Sequence, residues 1–135
     1  MNSIDTVHRF WETVWQHPYD VDAIDDFVVE DFRITTGGEE IVSRDAFKAW
    51  VNEFRSKLVD LHLEPVESFQ NEDGTRVASR WVLTGRNNGV MGTEPDLAPI
   101  RMTGTAVWAV REDGKLVHNW VERSSSEVYR RLTES

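Results

Sequence analysis

The sequence predicts an α+β fold, a cone-like curved antiparallel sheet wrapped round N-terminal helices in the manner of an α+β barrel. Three observations carry this expectation. Two aromatic-rich stripes with helical spacing occur before residue 59, the apolar period changes to two from Val59 onward, and Asp-Gly pairs at 73–74 and 113–114 separate long strand-like runs. No strand-helix-strand alternation is available to build a parallel sheet, so the strands are expected to pair as antiparallel neighbours with the helices on one face.

The first helix follows from Ile4, Val7, Trp11, Val14 and Trp15, spaced three or four apart behind Ser3 as N-cap, with Pro18 marking its end. Asp20 is placed to cap a short second helix whose Val21, Ile24, Phe27 and Val28 share a face, and the two helices are expected to form a packed hairpin. Phe32, Ile34 and Thr36 then alternate with Asp31, Arg33 and Thr35 as a strand that stops at Gly37-Gly38. Ser43 caps a third helix carrying the clearest stripe in the chain, Phe47, Trp50, Val51, Phe54 and Leu58. Strands are expected at about 59 to 71, 75 to 86, 100 to 111 and 115 to 123. Ser124 and Glu127 form a capping box, which predicts a last helix from Ser125 to about Leu132 anchored by Val128 and Leu132.

Bulk properties narrow the function classes. At 135 residues, 1–135 is expected to be a single domain, without repeats or a low-complexity linker. A formal charge of -9 repels phosphate backbones and anionic lipid surfaces, so neither nucleic acid nor membrane is an expected partner. The absence of cysteine excludes disulfides, thiolate catalysis and cysteine-ligated zinc. His8, His17, His62 and His118 show no metal-ligand spacing, and neither a metal nor a cofactor is expected. With no basic-then-apolar start and no apolar run near the roughly 20 residues of a membrane helix, the expected compartment is the cytoplasm.

Three segments in order, Gly85-Arg86-Asn87-Asn88-Gly89-Val90-Met91-Gly92, Thr103-Gly104-Thr105 and Asp113-Gly114-Lys115-Leu116-Val117-His118-Asn119-Trp120, resemble the loop, strand and closing strand of the SnoaL-like polyketide cyclases within the nuclear transport factor 2-like superfamily. The resemblance covers nearly the whole chain. It implies a cone with a deep pocket and a homodimer formed through the outer sheet face. It also implies a catalytic aspartate late in the last strand, which falls on Val121, and in many relatives a second one a few residues later, which falls on Ser124. The base of ketosteroid isomerase-like members falls near Thr36, whose hydroxyl is no general base near neutral pH without an activator. The acid/base network of the limonene epoxide hydrolase-like branch has no clear match. No catalytic residue is therefore assigned.

A ligand site is nevertheless expected. The tryptophans at 11, 15, 50, 81, 108 and 120 are first candidates, although large aromatics also fill cores. Trp15 and Trp50 stand out because helices 1 and 3 line the mouth and wall of the family's pocket. In the last strand, alternation puts Val117, Asn119, Val121 and Arg123 on one face and His118, Trp120 and Glu122 on the other, leaving Asn119 as the inward polar group if Val121 faces the pocket. Trp81 shares a strand face with Val77, Ser79 and Leu83, while Arg80 lies opposite. The segment from Gly85 to Pro99 is either a lid through which Asn87 and Asn88 reach the ligand or a wide hairpin excursion. The candidate contacts are thus Trp11 and Trp15; Phe32, Ile34 and Thr36; Trp50 and Phe54; Trp81 and Asn87; Thr105 and Val107; Asn119 and Val121.

The expected function is binding of an apolar, oxygenated small molecule by an accessory enzyme of cyclase, isomerase or hydrolase type that acts by shaping and desolvating its substrate. The alternative is a non-catalytic ligand-binding or dimerisation module.

Overall fold

A computed structural model describes residues 2–134. Met1 and Ser135, part of the expected single domain, lie outside the described residues. The elements run α1 (Ser3–Val14), α2 (Ile24–Phe27), β1 (Val28–Thr36), β2 (Glu39–Val42), α3 (Arg44–Ser56), β3 (Leu58–Gln70), β4 (Arg76–Asn87), β5 (Pro99–Val110), β6 (Leu116–Arg123) and α4 (Ser125–Thr133). The six strands make one sheet in the order β2-β1-β6-β5-β4-β3, curved but not closed on itself. The fold is α+β, as the change of period predicts.

Five differences from the sequence expectation have identifiable causes. Asn2, not Ser3, caps α1, its side chain accepting from Asp5 N–H. Ser3 is instead fully buried, and its hydroxyl donates to Gly74 O at 2.6 Å, pinning the helix start to the β3–β4 turn. The second helix is only a 3-10 turn, Val21–Ala23, plus one α turn, because Val28 leaves the helix to begin β1. Its N-terminal half is capped by Asp20 as the residue type predicts.

Third, Gly37 and Gly38, at φ of 60° and 80°, turn the chain into β2, a short edge strand whose mostly exposed residues carry no apolar alternation. Fourth, β1 and β6 run parallel, with Ile34 beside Asn119 and Thr36 beside Val121. The remaining pairs are antiparallel, as expected for β3–β4, β4–β5 and β5–β6. Fifth, Ser124 begins α4 without a side-chain cap bond, since its Oγ accepts from Thr103 N–H at 3.0 Å and is committed to β5.

The core forms where the helices meet the concave face. Phe10, Phe32, Phe47 and Trp108 are essentially inaccessible and touch one another, with Phe32 to Phe47 ring centroids 4.7 Å apart and Phe10 to Trp108 5.2 Å. Alternation along β4 buries Val77, Ser79, Trp81 and Leu83. In β3 the alternation breaks at Asp60, whose φ of 55° coincides with a register shift against β4, so that Leu58, Leu61 and Leu63 all face in. α4 rests on β5, with Val128 in the core and Leu132 packed against it. Among the described residues, no helix is long and apolar enough to cross a membrane.

Candidate functional site

A cavity opens between α1, α3 and the concave face of β1, β3, β4, β5 and β6. Its position follows from local patterning. The α1 stripe delivers Trp11 and Trp15, the α3 stripe Phe47, Trp50 and Phe54, and inward alternation supplies Ile34, Leu63, Trp81, Leu83, Ala106, Asn119 and Val121. The walls are close-set aromatics: Trp15 meets Phe54 edge-on at 5.6 Å, while Trp50 stacks on Phe54 at 5.6 Å and 28°. The cavity volume is about 40 Å³, room for a few waters, so a ring-sized ligand has to open the half-buried Trp50 and Phe54 at the mouth.

Two polar side chains border this apolar space, and neither is a carboxylate. Asn119 is buried, and its side chain makes no hydrogen bond to any described residue; its Oδ1 is wholly enclosed without a donor. Leaving a buried amide oxygen unpaired costs about 1–3 kcal/mol, so Asn119 is held in place by the sheet rather than by its own bonding. Its strand neighbours are Ile34 on β1 and Trp108 on β5, both large and apolar at the amide's level. Arg123, at the rim, lies over Phe54 and Trp50 with its guanidinium carbon 5.0 and 5.3 Å from the ring centroids. Burial lowers its pKa, though the group stays cationic.

Of the sequence-predicted contacts, Trp11, Trp15, Ile34, Trp50, Phe54, Trp81, Asn119 and Val121 border the cavity. Five do not. Phe32 is inaccessible in the aromatic core behind Phe47. Thr36 is buried one pleat beyond Ile34, beside Val121 but next to the β1–β2 turn. Thr105 and Val107 point to the convex face, where both are exposed, because inward alternation in β5 runs through Ala106 and Trp108.

Asn87 is fully buried away from the cavity and ties its own loop together. Its Nδ2 donates to Thr93 Oγ1 at 3.0 Å, Glu94 O at 2.9 Å and Asp96 Oδ1 at 3.2 Å, and its Oδ1 accepts from Gly89 and Val90 N–H at 2.9 Å each. Asn88 donates to Ser56 O, so neither asparagine reaches the cavity. The segment is a stapled hairpin excursion.

Phe47, Leu63, Leu83, Ala106 and Arg123 border the cavity without having been singled out as contacts. Arg123 was recoverable, since it shares the inward face with Asn119 and Val121. On the opposite face, Glu122 is exposed, and His118 is half-buried, hydrogen-bonded to Thr35 at 2.8 Å and stacked on Trp120 at 3.8 Å. Desolvation lowers the His118 pKa. Arg80 also lies outside, paired with Glu67 at 2.6 Å.

The fold recurs among solved structures of low sequence identity. A protein from Jannaschia sp. CCS1 assigned as a SnoaL-like polyketide cyclase superposes with a TM-score of 0.88 at 14% identity, covering 98% of this chain and 92% of that one. IdmH from Streptomyces antibioticus, assigned as a polyketide cyclase, gives 0.84 at 19% identity over 99% and 100%. SalBIII, an epoxide hydrolase/cyclase-like enzyme in pyran ring formation of the polyether salinomycin, gives 0.76 at 20% identity over 92% of each chain. No curated protein matches by sequence. The family model of the SnoaL-like polyketide cyclases matches residues 5–132, and the chain belongs to that family.

Proposed function

We propose that the protein is a cyclase-type enzyme that folds an apolar, oxygenated, polyketide-like substrate by positioning rather than by strong acid/base chemistry, acting as one cytoplasmic domain within a homodimer. The observation that supports this reading most is the unpaired Asn119 amide among aromatic walls. An amide of that kind donates to a substrate carbonyl and accepts from an enol hydroxyl, holding both reacting ends of a chain without exchanging a proton. Isomerase and epoxide hydrolase routes call for a general base in the cavity, and its polar lining residues, Asn119 and Arg123, do not act as one. In an intramolecular aldol closure the acidic methylene reacts as the enol formed by the substrate's own keto-enol tautomerism. The enol carbon bonds to the carbonyl carbon, the carbonyl π bond breaks, and the enol O–H proton passes to the carbonyl oxygen as it becomes a hydroxyl, so no protein base is consumed. The walls then remove entropy and water from the reacting atoms, and Asn119 hydrogen-bonds the oxygen on which charge develops.

A convex face with exposed Val66, Phe69, Val107 and Trp120 supports the dimer reading. Equilibrium sedimentation is expected to give a dimer that Trp120→Glu dissociates; a monomeric wild type removes dimerisation from the proposal. For the reaction, linear poly-β-ketone intermediates are incubated with the protein and followed by liquid chromatography with mass spectrometry. Cyclised product above the uncatalysed background, lost in Asn119→Leu, is the expected result. Saturable binding with no turnover would make the protein a carrier and sink the enzyme reading.

A further inference from the structure

Arg123 differs from the other arginines of the sheet in where it lies. Arg33 and Arg80 meet carboxylates, Glu40 at 2.9 Å and Glu67 at 2.6 Å, while Arg76, Arg86 and Arg101 make no ion pair among the described residues but are exposed to water. Arg123 has neither an ion pair nor a hydrogen bond among the described residues, although it is only partly exposed and Glu122 is its sequence neighbour. Strand alternation explains this, since Glu122 projects from the convex face while Arg123 turns toward the cavity.

The guanidinium is nonetheless held. Its carbon lies over two rings, Phe54 and Trp50, that also form the cavity mouth. Stacking of this kind fixes the guanidinium by its faces and leaves the in-plane N–H groups at its edge, in the fork that matches a two-oxygen anion. The row of residues across the sheet is equally specific. Trp81, Gly104 and Arg123 are successive partners on β4, β5 and β6. A Cβ on Gly104 would sit 2.2 Å from Trp81 Cζ2, so the indole occupies the space of the missing side chain and extends across β5 toward Arg123. With Trp50, Phe54 and Trp81 around it, this is the one cationic group among apolar lining residues, in a chain of net charge -9.

From the unpaired guanidinium and its aromatic surround we infer that Arg123 is an anion-binding residue at the cavity mouth, and that the ligand carries a carboxylate at the end of its apolar body. This rests on the proposed function, in that it supplies the polar end of the substrate placed in that cavity. A carboxylate on Arg123 directs the apolar remainder inward toward Asn119, so the arginine sets which end of the chain enters first. It also neutralises a charge that partial desolvation makes costly to leave alone. Arg123 is a substrate-binding residue in this account and takes no part in bond making.

The test uses 2-naphthoate and its neutral isostere 2-naphthamide, titrated into the wild type, Arg123→Gln and Arg123→Lys by isothermal calorimetry. Wild type is expected to bind naphthoate about tenfold to a hundredfold more tightly than naphthamide, the range for a charge-assisted pair of hydrogen bonds away from bulk water. The preference should vanish in Arg123→Gln, survive in part in Arg123→Lys, and shrink with added salt in the wild type alone. Equal affinity for the two probes in the wild type, or an undiminished preference in Arg123→Gln, overturns the assignment while leaving the cyclase reading intact. Binding of neither probe overturns the inference, and the cyclase reading falls only if the polyketide incubation also fails.

Discussion

Two buried asparagines lie at opposite extremes of hydrogen bonding, Asn87 in the excursion after β4 and Asn119 in the cavity wall of β6. The Asn87 side chain shares its two N–H groups among three acceptors and accepts twice, and every one of these side-chain bonds stays within residues 87 to 96. Asn119 makes none with its side chain, and its oxygen is sealed from solvent. A polar side chain with its bonds complete is architecture, whereas one left incomplete at equal burial costs stability that folding alone does not recover. The same contrast separates Arg80, paired with Glu67 on the convex face, from Arg123, stacked but unpaired on the concave one. Arg80 is answered by Glu67 on the outside of this sheet, while Asn119 and Arg123 on the inside have no such partner among the described residues.

The largest effect is expected at Asn87. Asn87→Ala strips two backbone N–H groups, one of them the buried Val90 N–H, of their acceptor, and should cost about 3 kcal/mol or more in urea denaturation. A loss below about 1 kcal/mol would mean that the loop does not depend on this side chain, and the contrast would collapse from that end. Gly104→Ala comes next. Its methyl would lie 2.2 Å from Trp81 Cζ2, a collision that the indole relieves only by moving out of the cavity wall, at about 1–3 kcal/mol. A shift in tryptophan emission with lowered Tm is the expected signature, and an unchanged spectrum would show that Trp81 is not seated over the glycine.

The smallest effect, and the most discriminating, is expected at Asn119. Because its amide gives up no protein hydrogen bond, Asn119→Leu should leave stability unchanged or raise it by about 1 kcal/mol while abolishing turnover. A loss comparable to that of Asn87→Ala would show that Asn119 is structural after all. Separation of the two readouts, Tm rising while product formation disappears, would place its purpose in the ligand.

Much of the fold was legible because the signals are local. The stripes of α1 and α3 and the alternation of β4 follow from how Cβ atoms project, with periods of 3.6 and 2, and so appear in any window of a dozen residues. The turns at Asp73-Gly74 and Asp113-Gly114 were equally plain, with positive φ at both glycines and Asp73 and Asp113 accepting from the N–H two residues on. The cavity-facing set Trp15, Trp50, Trp81, Asn119 and Val121 came from the same arithmetic, guided by the family resemblance. Where local chemistry offered two equivalent outcomes it misled. Ser3 and Asn2 are both good caps, Asn87 suits a lid as well as a staple, and Thr105 and Val107 differ from Ala106 only by one step of alternation.

By itself, then, the sequence determined α1, α3 and the long strands in their order, the shared strand face of Asn119 and Val121, and the absence of an aspartate at residue 121. Only the tertiary structure decided that β1 lies parallel beside β6, that the bulge at Asp60 turns Leu61 inward with Leu58, that Asn87 bonds to its own loop, and that Arg123 meets rings instead of a carboxylate. The physical reason is range. Periodicity is set by neighbours three or four residues away, whereas whether a polar group is satisfied depends on partners that distant parts of the chain bring to it, or do not.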